Sequence, residues 1–167
     1  MSRIPIVDEN DVEISFKERS EVELGDIYRV SALWLTNSKG EVLLAQRSLH
    51  KKNGPGKWGP AVAGTVDEGE TYEINILKES EEEIGLVLSP QEIRLGPKVK
   101  IQGSHLHFCQ WYYAKSDKSI DEFVLQEDEV MDARWVSTEE LIRLTDENPE
   151  MFSGSMMQWL PTVLQEA

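Results

Sequence analysis

A chain of 167 residues suits one domain, and its 31 Asp and Glu against 17 Lys and Arg leave a formal net charge of −14. That surface repels nucleic acid and anionic lipid, so neither is an expected partner. With 40% apolar residues the chain can bury a core, its lone Cys109 excludes a disulfide framework or a multi-cysteine zinc site, and neither a signal-peptide pattern nor a membrane-spanning apolar run is visible; the expectation is a cytoplasmic protein.

Residues 1–26 read as an acidic N-terminal extension. From 7 to 26 eight acids stand against Lys17 and Arg19, which makes the stretch a candidate for pairing with a second copy in a homodimer. Tyr28–Asn37 reads as a buried strand, Asn37-Ser-Lys-Gly40 as a turn and Glu41–Gln46 as a second strand, together a hairpin. Asn53-Gly-Pro-Gly56 is a loop. The stretch 46–57 around it carries Arg47, Lys51, Lys52 and Lys57 with no acid. Thr71–Ile84 reads as a helix closed by Gly85. Val99–Ile101 and His105–Lys115 read as strands around a Gln102-Gly-Ser104 turn, and Val130–Val136 as another. Ser137 and Glu140 have the spacing of a capping box at a helix start. Phe152–Leu164 reads as a last helix strained by Pro161. Helices interleaved with strands and hairpins predict an α/β fold, a mixed sheet with helices packed on it.

The helix after Gly64-Thr-Val-Asp-Glu-Gly-Glu70 carries the chemistry. At about 100° per residue, Glu79, Glu82 and Glu83 share one face, while Ile74, Leu77 and Ile84 point the other way, toward a core. Like charges so spaced oppose one another and call either for a cation or for the screening water of a solvated acidic face. An oxygen-only donor set suits Mg²⁺ or Mn²⁺ rather than zinc, and Glu70 can add a further carboxylate. The basic stretch suits a phosphorylated ligand, although taken alone it reads better as a solvated Lys-rich loop.

Gly64, five residues, Glu70, seven residues, then Lys78-Glu79-Ser80-x-Glu82-Glu83-x-Gly85-Leu86 resembles the Nudix box, with seven of its nine defining residue types in place. Lys78 stands where the box has Arg, keeping the charge but losing a bidentate fork. Ser80 replaces an apolar residue, which predicts looser packing there. The resemblance implies a Nudix fold over 27–167, a mixed β-sheet sandwiched between α-helices, and a hydrolase that opens a small-molecule diphosphate with metal at Glu79, Glu82, Glu83 and Glu70. Gly64, Lys78 and Gly85 would be its structural motif residues.

The resemblance extends to the isopentenyl-diphosphate delta-isomerases of the Nudix fold. It runs through Trp34-Leu-Thr-Asn37, Leu43-Leu44, Arg47, Lys51-Lys52, Pro55-Gly-Lys-Trp58, Asp128-Glu-Val-Met-Asp132, Trp135 and Phe152-Ser153. It implies that Arg47, Lys51 and Lys52 hold diphosphate. The isomerase chemistry needs a cysteine and metal-binding histidines, and here Ala63, Thr65 and Tyr28 occupy those places. An isomerase and a diphosphate-binding module without turnover therefore rank behind the hydrolase. Glu129 is expected at the metal site or as the base, with Glu83 and Glu82 as the other catalytic carboxylates. Trp58 is a candidate for stacking on a substrate base. His105, His107, Cys109 and Trp111 alternate onto one strand face.

Overall fold

A computed structural model describes residues 2–103 and 105–167; Ser104 of the expected turn lies outside them. The strands are β1 (Arg3–Val7), β2 (Glu13–Glu18), β3 (Ile27–Thr36), β4 (Glu41–Arg47), β5 (Trp58–Pro60), β6 (Val62–Thr65), β7 (Arg94–Gln102), β8 (Leu106–Lys115) and β9 (Val130–Ser137). The helices are α1 (Tyr72–Ile84), α2 (Thr138–Glu147) and α3 (Met156–Glu166).

All nine strands join one mixed sheet centred on β3. β3 runs parallel to β8 along its whole length, from Ile27 opposite Leu106 to Thr36 opposite Lys115. On its other side it pairs antiparallel with β6, Val30 opposite Thr65 and Leu33 opposite Val62. β9 lies antiparallel on β4. β3 is buried on both faces, and its alternation divides the core. Ala32 and Trp34 face Trp111, Leu141, Trp159 and Leu160, the side of α2 and α3. Leu33 and Leu35 face Ile76 and Ile84 of α1. The sheet is thus sandwiched between helices.

Several elements differ from expectation. Residues 1–26 are not a bare acidic extension: they build the β1–β2 hairpin, which buries Ile4, Ile6 and Val7. β5 and β6 are short strands with no sequence signal, and β7 starts five residues before the expected Val99 because it follows β8 along most of its length. α3 starts at Met156, not Phe152, since Phe152 is engaged in a bridge with Trp58. It continues through Pro161. Ser137 caps α2 by accepting from the Glu140 amide at 3.1 Å. The Glu140 carboxylate turns instead to Arg143 and Arg134, at 3.7 and 4.0 Å. Among the described residues, no helix is long and apolar enough to cross a membrane.

Candidate active site

Local chemistry sets both ends of α1. Thr71 Oγ1 accepts from the Ile74 amide at 3.1 Å. At the far end Gly85 takes φ 66°, and the Gly85 and Leu86 amides donate to Glu81 and Ser80 carbonyls at 3.0 Å. A side chain there would meet Val124 Cβ at 2.9 Å. The inward face of α1 departs from the simple apolar stripe. Ile74 is 52% exposed, while Asn75, Ile76 and Ser80 are fully buried. The turn is set by Asn75, whose amide spans the gap between helix and sheet. It donates to Thr65 O at 3.0 Å and Glu70 Oε1 at 3.1 Å, and accepts from Ser31 Oγ at 2.5 Å. Ser80 is not loosely packed: its hydroxyl donates to Ile76 O at 2.7 Å.

One of the expected carboxylates, Glu79, stands where α1 meets β6. Glu79 lies against Gly64, where a Cβ would meet its Cγ at 2.5 Å and its Cδ at 2.7 Å. Only glycine leaves room for this side chain. Lys78 Nζ sits 2.7 Å from Glu70, 3.2 Å from Asp67 and 3.8 Å from Glu79. Burial opposes the charge on Lys78, but Glu70 and Asp67 outweigh it and raise its pKa. The Lys therefore supplies the charge expected of the Arg it replaces, as a point cation shared by three carboxylates.

Glu83 is 8% exposed. Burial, then the neighbouring Glu79 and Glu129, pushes its carboxyl up to about 8, with Lys51 and the Ala63 backbone pulling the other way. Burial likewise raises Glu79, reinforced by Glu82 and Glu70 and opposed by Lys78. Glu82 is exposed on the adjoining face. Glu129, between β8 and β9 in sequence, reaches the group through its pair with Lys51, Nζ to Oε2 2.5 Å. Its carbonyl also accepts from the Ser48 amide at 3.0 Å, which fixes the basic loop beside the acids.

The basic residues do not act as one patch. Lys51 is paired with Glu129. Arg47 braces the loop, Nε to Asn53 O 2.8 Å, and Lys52 is exposed. Lys57 is turned away onto the Glu150 carbonyl. Trp58 is 8% exposed within the core beside Trp34 and Phe152, which leaves no face for stacking on a ligand. The two histidines of β8 and its approach flank Tyr28: the His107 ring stacks on it at 5.1 Å and His105 lies edge-on at 6.5 Å. Sequence reasoning missed Asn75 and Asp67. A polar residue four positions after the N-cap Thr71, amid apolar neighbours, was the available signal for Asn75.

Among the described residues, no three acidic, histidine or cysteine side chains converge into a ready-made cage. The donors nonetheless suit a hard divalent cation: they are all carboxylate oxygens, two with pKa raised by burial and then by neighbouring carboxylates. Among the described residues no ion pair reaches Glu82 or Glu83, whereas Glu70 and Glu129 each have a lysine.

The family model for the NUDIX domain matches residues 27–160, and the chain belongs to that family. An isopentenyl-diphosphate delta-isomerase of Shigella flexneri is 28% identical over 130 residues, covering 74% of this chain and 69% of that protein. A crystal structure of a Deinococcus radiodurans protein superposes with a TM-score of 0.81 at 23% identity, covering 96% of this chain and 98% of the other. The NUDIX domain of Shewanella oneidensis NrtR, in complex with ADP ribose, superposes with a TM-score of 0.65 at 18% identity, covering 89% and 92%. These likenesses fix the fold.

Proposed function

We propose that this protein is a divalent-metal-dependent hydrolase acting on the diphosphate linkage of a small organic diphosphate, of nucleoside or prenyl type. The observation that carries the reading is the buried Glu83 carboxyl, disfavoured as an anion by its burial and by Glu79 and Glu129, on a helix packed against Gly64. Uncompensated buried carboxylates need a cation to become stable as anions. Glu79, Glu82 and Glu83 would hold Mg²⁺ or Mn²⁺, with Glu70 released to them only if Lys78 moves. When bound, the ion neutralises phosphate oxygens and lowers the pKa of an attacking water. Glu129 is the proposed base. Its lysine partner, Lys51, is also a cation for substrate phosphate, so phosphate drawing Lys51 away would free Glu129 to accept a proton. Arg47 and Lys52 add further positive charge at the same loop.

The test is a phosphate-release screen across nucleotide sugars, dinucleotides, nucleoside triphosphates and prenyl diphosphates, with Mg²⁺ and with Mn²⁺. Nucleoside diphosphate sugars head the screen because the Shewanella domain holds ADP ribose. Metal-dependent release is expected, and Glu82→Gln and Glu83→Gln should each lower kcat by at least about a hundredfold. Undiminished turnover in both variants would remove the proposed site.

The Shigella relative favours a second reading, isomerisation. Against it stand Ala63, Thr65 and Tyr28, which offer neither thiol nor imidazole. Cys109 is 5% exposed in the core, and burial pushes its thiol far up. Labelled isopentenyl diphosphate should therefore be recovered without conversion to dimethylallyl diphosphate. Conversion by the pure protein would replace the hydrolase reading.

A further inference from the structure

The segment 66–72, which delivers Glu70 and starts α1, is gripped by the hairpin that precedes the family's matched region. The family model begins at residue 27, whereas β1 and β2 end at Glu18. Three side chains of this N-terminal part reach across. Arg3 forms a fork on Glu68, Nε to Oε2 2.9 Å and Nη2 to Oε1 2.6 Å, and its carbonyl accepts from the Glu68 amide at 2.9 Å. Arg19 Nη2 lies 3.3 Å from Asp67 Oδ1. Asp11, at the hairpin turn, accepts from the Tyr72 hydroxyl at 2.8 Å. The hairpin and the turn that follows it thus hold residues 67 and 68 at the hairpin's open end and residue 72 at its tip, on both sides of Glu70.

The grip continues inward. Asp67 uses its other oxygen on Lys78 at 3.2 Å, and its amide donates to Glu70 Oε1 at 2.8 Å. Lys78 in turn holds Glu70 and faces Glu79. Arg19, Asp67, Lys78 and Glu70 therefore form one charge-alternating row from the hairpin to the acidic cluster. Glu68 and Gly69 are exposed, and Gly69 takes φ +87°. A glycine bend of this kind does not fix its own position, so its geometry depends on what clasps it.

We propose that the β1–β2 hairpin is a clasp that positions the acidic site, with Arg3 and Arg19 as positioning residues acting through Glu68 and Asp67. This rests on the hydrolase reading for its effect on turnover, but not for its effect on the loop. The Arg3–Glu68 pair is half exposed, at 49% and 40%, so it contributes little to global stability. Its work is local.

The test exchanges the charges. Full-length Arg3→Glu and Glu68→Arg should each lower kcat about tenfold, leave KM within about twofold, and move Tm by no more than about 3 °C. The double variant Arg3→Glu/Glu68→Arg should recover kcat to within about twofold of wild type. Arg3→Gln removes the charge without reversing it and repeats the single-variant readings of kcat, KM and Tm if a reversed variant folds poorly. Unchanged kcat in both single variants, or a kcat loss that follows Tm and is not recovered in the double, overturns the clasp. Amide hydrogen exchange over 66–72 is read on the same proteins: faster in each single variant, wild-type in the double. If wild-type protein hydrolyses none of the screened diphosphates, the hydrolase reading fails. The exchange rates then decide the clasp alone, and equal rates in all variants sink it.

Discussion

Glu79 occupies the volume that a side chain at Gly64 would fill: a Cβ there would stand 2.5 Å from Glu79 Cγ, far inside van der Waals contact. The glycine is needed for close approach of helix to strand rather than for a turn. Gly64→Ala should therefore displace the Glu79 carboxylate from its place against Gly64 and Lys78. We expect kcat to fall by about a hundredfold, the scale of misplacing a charged group at a reacting centre. Tm should fall by only a few degrees, because the Glu79 side chain can swing aside. Steady-state kinetics and a melting curve on one preparation check this, and retained kcat would separate Glu79 from the chemistry.

The acidic helix was legible because its signals are local. Thr71 and Gly85 mark its ends, and the carboxylate spacing falls on one face whatever the rest of the chain does. The N-terminal hairpin was not legible for the opposite reason. β2 is an edge strand whose Ile14 and Phe16 are exposed at 65% and 38%, so no buried face imposes a pattern on it. Its ties to the site join residues far apart, Arg3 to Glu68 across 65 positions. No local rule reports such a pair. Ile74 shows a related limit: helical periodicity places it near the core face, but it is 52% exposed, and Asn75 takes the inward position because Ser31, Thr65 and Glu70 are there to satisfy it. Trp58 reads as a ligand platform by residue type alone; its seat between Trp34 and Phe152 depends on the pairing of β5 with β4, which was not visible.

Arg47 separates a phosphate contact from a loop brace. Its Nε is used on Asn53 O at 2.8 Å, and among the described residues no acid pairs with its guanidinium. Arg47→Ala should raise KM about tenfold, the effect of one charge-assisted contact worth about 1.4 kcal/mol, with kcat little changed. Losing the brace should cost a degree or two in Tm. If KM is unmoved and only Tm falls, the residue is structural and phosphate binding passes to Lys51 and Lys52.

Asp11 contributes to the pH dependence of stability. Its side chain is 9% exposed and accepts from Lys98 at 2.6 Å, Arg29 at 2.7 Å and the Tyr72 hydroxyl at 2.8 Å. Burial alone would raise its pKa, but these three donors outweigh burial and hold it below the ordinary 3.8. A carboxyl whose pKa is depressed in the folded state binds fewer protons there than in the unfolded chain. Its stabilisation is complete above the unfolded value of 3.8 and is lost as pH falls through that value toward the lower folded one. Asp11 also sits at φ 62°, a conformation that Asn tolerates as well as Asp. Asp11→Asn therefore removes the charge, and one acceptor with it, without added backbone strain. Urea midpoints measured from about pH 7 down to about pH 2.5 should show the variant less stable at neutral pH. The two curves should converge in acid, where wild-type Asp11 is also protonated. Parallel curves over the whole range would mean that the Asp11 charge contributes nothing to holding the hairpin tip on α1.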